Sequence, residues 1–245
     1  MAAAIEVAGV SKTFQIPHEQ RTFFREYFVH PLRRRTYERN EALNDVTFSV
    51  ESGEFFGVIG PNGSGKSTLL RILAGIYVPD SGRVRVSGLI SPFIELGVGF
   101  NTELNARDNV RINATLAGLT KRELDEKFDE ILAFAELERF VDQKLKNYSS
   151  GMLVRLAYSI AIQVPFDVLL LDEVLAVGDE AFQEKCFATF DGFKEDGKTV
   201  VFVGHALPLI ERFCDRVLLL RRGEVQMVGS PNDVVEVYRE RAAVS

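Results

Sequence analysis

The chain has 245 residues, 46% hydrophobic and 26% charged, with 29 Lys and Arg against 35 Asp and Glu, a net charge of −6 (29 − 35). That composition excludes disorder as the dominant state and allows a sizeable core in one large domain or two small lobes. The mild acidity excludes the basic field of a dedicated nucleic-acid binder, so no nucleic acid is expected as a partner.

No apolar run approaches the ~18 residues of a membrane span. The N-terminus, Met1-Ala2-Ala3-Ala4-Ile5-Glu6, lacks the basic head and apolar stretch of a signal peptide. A cytoplasmic chain is expected, with any membrane role supplied through a partner. Cys186 and Cys214 lie far apart and outside metal-ligand spacing, so reduced thiols are expected.

In chain order, residues 5–10 and 46–50 alternate like strands with one exposed face. Residues 55–59 form a short apolar run that ends in glycine and leads through 60–65 into a helical pattern over 66–74. Runs at 168–171, 200–203 and 217–220 are rich in Val and Leu, and helical segments at 180–193 and 207–213 separate them. Strands alternating with helices predict a largely parallel sheet covered on both faces. Arg222-Gly223 reads as a hairpin turn, and 231–241 as a closing helix.

The middle differs. From about 106 to 140 the apolar residues Leu116, Leu119, Leu124, Phe128, Ile131, Leu132 and Phe134 recur at helical spacing. Residues 94–163 are therefore expected to be a helical insertion, with 1–93 and 164–245 forming the core. Residues 15–40 stand apart. Arg21, Arg25, Arg33, Arg34, Arg35 and Arg39 interleave there with Phe23, Phe24, Tyr27, Phe28 and Tyr37, around a helix-breaking Pro31. This is either a solvated insertion or a basic amphipathic element at a membrane surface or against a membrane partner.

Two motifs carry chemistry. Gly60-Pro61-Asn62-Gly63-Ser64-Gly65-Lys66-Ser67, followed by Thr68, matches G-x-x-x-x-G-K-[ST] between a predicted strand and a predicted helix. Such a loop turns backbone N–H groups toward phosphate oxygens, and the helix N-terminus adds partial positive charge. Lys66 can reach the β- and γ-phosphates, and the Ser67 hydroxyl can ligate Mg²⁺. The second motif is the apolar strand ending in Asp172-Glu173. It places Asp172 at the carboxyl end of the sheet, where it would hold Mg²⁺, and Glu173 where it could polarise an attacking water.

Tyr148-Ser149-Ser150-Gly151-Met152 resembles the signature motif of the ATP-binding-cassette (ABC) ATPases, L-S-G-G-Q, and stands where that family puts it. The resemblance covers nearly the whole chain. It implies an α/β P-loop NTPase of RecA-like fold with an inserted helical subdomain and an antiparallel β edge. It also implies ATP and Mg²⁺ as cofactors, and a homodimer in which Ser149, Ser150 and Gly151 of one subunit cap the γ-phosphate held by the other. His205 resembles the switch histidine that contacts the γ-phosphate, and Asp179 the D-loop aspartate. Glu95 is the nearest polar candidate for the Mg²⁺-contacting glutamine, because no glutamine occurs between Gly75 and Ile131. Phe14 fits the adenine-stacking aromatic best, with Tyr37 the alternative.

Ser150 stands where the family usually has glycine, and Met152 where it has glutamine. This spelling resembles the ATPases of polysaccharide exporters. So do Glu95-Leu96-Gly97-Val98-Gly99-Phe100, Glu103-Leu104-Asn105-Ala106-Arg107-Asp108-Asn109 and Asp172-Glu173-Val174-Leu175-Ala176-Val177-Gly178-Asp179, and the 15–40 insertion. The implied role is a motor at the cytoplasmic face of the membrane. It would work with an ABC-2 type permease to export a polyprenyl-linked galactan, O-antigen or teichoic acid. A soluble ABC ATPase, a non-hydrolysing subunit and the motor of a different transporter are the rival readings. Some exporters of this group carry a C-terminal carbohydrate-binding domain; the sequence stops at Ser245, so weak glycan recognition is expected of this chain.

Overall fold

The computed structural model describes residues 3–17, 37–93, 99–172 and 179–243. Strands β1 (Ala3–Pro17) and β2 (Tyr37–Glu51) pair antiparallel, and β4 (Ser81–Val86) pairs with the other edge of β1. A second sheet contains β3 (Phe55–Ile59), β5 (Ile90–Phe93), β6 (Val168–Asp172), β7 (Thr199–Val203), β8 (Arg216–Arg221) and β9 (Glu224–Gly229). Its order is β5-β6-β7-β3-β8-β9, parallel throughout except for the last pair.

The four central strands are apolar on both faces because both faces are covered. Phe55 and Ile59 point into one core, together with Leu169, Leu171, Val217 and Leu219. Phe56 and Val58 point into the other, with Val168, Leu170, Leu218 and Leu220. The first core is closed by helices α5 (Glu180–Glu195), α6 (Leu207–Phe213) and α7 (Pro231–Ala243). The second is closed by α1 (Lys66–Leu73) and by the three-stranded sheet, through Ile5, Val7, Val46 and Phe48. Each fully buried Leu, Val or Phe contributes about 1.5–3 kcal/mol relative to exposure.

Helices α2 (Ala106–Leu116), α3 (Lys121–Ala135) and α4 (Ser150–Gln163) have a core of their own, built on Val110, Leu124, Ile131, Leu132 and Leu156. The single helical pattern read over 106–140 is thus two α-helices and a short 3-10 turn at Glu138–Phe140. Thr120 starts α3 with a capping box to Glu123, which satisfies N–H groups at a new helix start. Leu116 was expected on the buried face but is 77% exposed. Helix α2 ends one residue later, at its C-cap Ala117, so Leu116 has no further turn to pack beside.

Two strands escaped the sequence reading. Strand β4 is mostly exposed and carries Arg83 and Arg85; β5 carries Pro92 and lies at the sheet edge. The ends of the 15–40 segment are strand, pairing Gln15 with Arg39 and Pro17 with Tyr37. The rest of that segment, 18–36, lies outside the described residues. The Arg222-Gly223 turn closes the β8–β9 hairpin with φ 53° and 78°. No helix among the described residues is long and apolar enough to cross a membrane. Both cysteines are buried and free.

Candidate nucleotide site

Strand β3 runs through the centre of the parallel sheet and delivers the chain at its carboxyl end into Gly60. The turn there admits no side chain. A Cβ at Gly60 would strike the Leu220 carbonyl oxygen, and one at Gly65 would strike that of Ala42, where φ is also +105°. Helix α1 therefore begins on a glycine that offers no side-chain cap. The N–H groups of its first turn, which no N-cap side chain covers, lie at the positive end of the helix dipole.

The loop is braced from outside. Gly223, in the β8–β9 turn, donates its N–H to the Ser64 carbonyl at 2.9 Å, and its own carbonyl accepts from Asn44 N–H at 2.8 Å. Inside, Lys66 is only 6% exposed, and its ammonium donates to the carbonyls of Gly60 (2.8 Å) and Pro61 (3.1 Å). The Ser64 hydroxyl is buried and has no hydrogen-bond partner among the described residues. A buried orphan hydroxyl beside uncapped helix donors fits a phosphate-bearing ligand.

These groups line one cleft of about 280 Å³, formed by residues 62–68 together with Phe14, Asn40, Ala42 and His205. The structure thus brings together Phe14, Asn62, Gly63, Ser64, Gly65, Lys66, Ser67, Thr68 and His205. Asn40 and Ala42 were missed by sequence reasoning. They lie on β2, and nothing in their own chemistry marks them as lining residues. Phe14 reaches the cleft; Tyr37 begins β2, and its side chain lies outside the described residues.

Asp172 ends β6 and pairs with Val203, so it sits at the same carboxyl edge, two strands from β3. It does not line the cleft. Glu173 and Glu95 lie outside the described residues. No group of three or more His, Cys, Asp or Glu among the described residues could hold a metal ion. Ser67 in the cleft and Asp172 at the carboxyl edge carry hard oxygen donors of the kind Mg²⁺ would take alongside phosphates and water.

Ser149 caps α4, accepting from the Met152 N–H at 3.2 Å, and Ser150 and Gly151 form its first turn. None of the three lines the cleft. Asp179 caps α5, accepting from the Phe182 N–H at 3.0 Å. The Asn-rich stretch before α2 also acquires a structural role. Asn105 caps α2, and the fully buried Asn109 accepts from the Asn101 N–H and donates to the carbonyls of Asn101 and Asn105.

Residues 43–176 match the family model described as ABC transporter. The chain belongs to the ABC transporter family. Among curated ABC relatives, an O-antigen export system ATP-binding protein of Klebsiella pneumoniae is 39% identical over 246 residues, covering 99% of this chain and 100% of the relative. An ABC transporter protein of Aeromonas salmonicida is 45% identical over 82% of this chain and 65% of its own length. A teichoic acids export ATP-binding protein of Levilactobacillus brevis is 40% identical over 96% of this chain and 64% of its own. The chain thus spans all of the first relative and about two thirds of each of the others.

Among solved ABC structures, the dimeric post-hydrolysis state of the cassette MJ0796 bound to ADP and Pi superposes with a TM-score of 0.74 at 25% identity. The superposition covers 93% of this chain and 98% of that one. The expected fold, an ABC nucleotide-binding α/β unit with an antiparallel sheet, agrees with this architecture.

Proposed function

We propose that the chain is the ATP-hydrolysing motor subunit of an exporter that moves a polyprenyl-linked polysaccharide across the cytoplasmic membrane. The galactan, O-antigen and teichoic acid types all remain within this reading. The observation that carries it is the end-to-end match to an O-antigen export ATP-binding protein.

Residues of the cleft bind and orient the triphosphate. The loop amides and Lys66 stabilise charge that develops on the phosphate. Ser67 and Asp172 would hold Mg²⁺, which when bound would neutralise the phosphate oxygens. Glu173, directly after Asp172, orients the attacking water. His205, on the rim of the same cleft, contacts the γ-phosphate. Ser149, Ser150 and Gly151 lie outside their own chain's cleft, which suits a role in capping the nucleotide of a second copy, with Asp179 coupling the two sites. The dimeric state of MJ0796 supports such a pair.

An integral-membrane permease of the ABC-2 type would convert closure of the pair into transport and hold the motor at the cytoplasmic face. A groove between the sheet and the helical segment, lined by Phe93, Phe100, Leu116, Ala157, Ile160 and Ala161, is the apolar face we assign to it. Gentle detergent co-purification of the tagged chain from its own cells, with mass spectrometry, tests the proposal. A polytopic membrane protein in equal amount supports it. A soluble or ribosomal partner overturns it.

A further inference from the structure

We propose that Asp80 is the positioning residue for Phe14, holding its ring at the angle at which it stacks on the nucleotide base. The inference rests on the reading of Phe14 as the base-stacking aromatic and adds the device that aims it.

Strand β1 loses a partner just before Phe14. Its pairing with β4 ends at Ser11 opposite Ser81, and its register against β2 shifts between Val10 and Lys12 and again between Lys12 and Thr13. On the β2 side pairing resumes at Thr13 opposite Glu41 and runs on through Phe14 opposite Asn40, but on the β4 side the backbone beyond Ser11 has left its ladder and needs another acceptor. Asp80 supplies it. Its carboxylate accepts from the Thr13 N–H at 2.7 Å and from the Lys12 ammonium at 2.8 Å, while its own N–H donates to the Ser11 carbonyl at 2.9 Å. Three successive residues of β1 are tied to one residue, and Phe14 is the next.

The ring is then steadied from the side. Tyr77 stands at 65° to Phe14 with centroids 5.5 Å apart, and the Lys12 ammonium lies 5.7 Å from the Phe14 centroid. Tyr77 in turn has the Arg71 guanidinium 5.8 Å from its ring. Arg71 belongs to the last turn of α1, the helix that begins at the phosphate loop. A continuous set of contacts therefore links the phosphate end of the cleft to its aromatic wall. An exposed Lys–Asp pair is worth little by itself. The bond to Thr13 N–H differs, because it directs the main chain that carries the ring.

The test compares the affinity of the purified full chain for ATP and for inorganic triphosphate, each with Mg²⁺, by calorimetry. Phe14→Ala is expected to weaken ATP about tenfold and leave triphosphate unchanged, the size of one lost stacking contact. Asp80→Ala is expected to weaken ATP about three- to tenfold, also without effect on triphosphate. Asp80→Asn keeps an acceptor for Thr13 and should restore most of the loss. The double variant Phe14→Ala/Asp80→Ala should bind ATP no worse than Phe14→Ala alone.

The proposal is overturned if Asp80→Ala binds ATP normally, weakens ATP and triphosphate alike, or adds its full effect to that of Phe14→Ala. If Phe14→Ala itself binds ATP normally, the stacking assignment fails and the inference goes with it. A loss in Phe14→Ala but not in Asp80→Ala removes this inference alone.

Discussion

Arg155 of α4 donates one guanidinium N–H to Glu136, which closes α3, and another to Asp179, which caps α5. Lys185 of α5 donates to the other oxygen of Glu136 at 2.8 Å. The guanidinium also lies 4.9 Å from the Phe182 ring centroid. One cation thus ties the helix begun by Ser149–Gly151 to the helix that follows the acidic strand. The arrangement is a network rather than a lone surface pair, so it holds an angle between elements.

The network makes a prediction about pH. Lys185, and then Arg155, hold the Glu136 carboxyl below its usual value of 4.5. A depressed carboxyl contributes stability above its unfolded pKa and loses it as pH falls through the folded one. Glu136→Gln should therefore be less stable than the natural chain at pH 7, by about 0.5–1 kcal/mol given the partial exposure of the pair. The gap should close as pH falls below 4.5. Urea unfolding at a series of pH values measures it, and a gap that stays constant with pH would rule the network out as its source.

Lys66 presents a second case. Its ammonium is buried on two loop carbonyls, in a cleft whose phosphate donors are backbone groups that no substitution removes. Lys66→Ala should leave the fold intact while lowering ATP hydrolysis by about 10²–10³-fold, as loss of a preorganised charge does. Steady-state phosphate release checks this, with far-UV circular dichroism as the control. Hydrolysis within a few-fold of the natural chain would remove Lys66 from the mechanism.

How much of this was legible in sequence depended on burial. Strands β3, β6, β7 and β8 were readable because burial on both faces forces continuous runs of Val, Leu, Ile and Phe. Strands β4 and β5 were not, since an exposed strand with two arginines and an edge strand with Pro92 carry no such pattern. The phosphate loop was legible because its glycines answer local steric demands. Asn40, Ala42 and Asp80 were invisible, because their roles arise only when β1 and β2 fold back beside the loop. Arg155 was visible only as a neighbour of the signature motif, and its two carboxylate partners come from other helices. The misplacement of Leu116 shows the limit of helical periodicity: the repeat continued, but the helix did not.

Glu173 follows a strand whose last residue sits at the carboxyl edge beside β7. If it orients the attacking water, Glu173→Gln should bind ATP normally and stop at the step before hydrolysis. Light scattering at saturating ATP should then report a dimer that the natural chain forms only transiently. A Glu173→Gln chain that stays monomeric when bound to its permease and saturated with ATP would contradict the two-copy mechanism.

Leu116 is 77% exposed at the end of α2 and Ile112, one turn earlier, is 41% exposed. Exposed apolar side chains at or beside a mostly apolar groove are costly to solubility and mark a contact surface when they adjoin one another. Leu116 lines the groove with Phe93, Phe100 and Ile160, and the groove shares no lining residue with the nucleotide cleft. Leu116→Glu should therefore leave ATP hydrolysis by the isolated chain unchanged. In cells it should reduce export by about tenfold, as expected for a charge forced into an apolar contact worth at least ~1.4 kcal/mol. Co-purification of the permease with the variant separates the causes. Reduced recovery of the permease places the defect at docking, and full recovery with normal export would show that the groove faces some other partner.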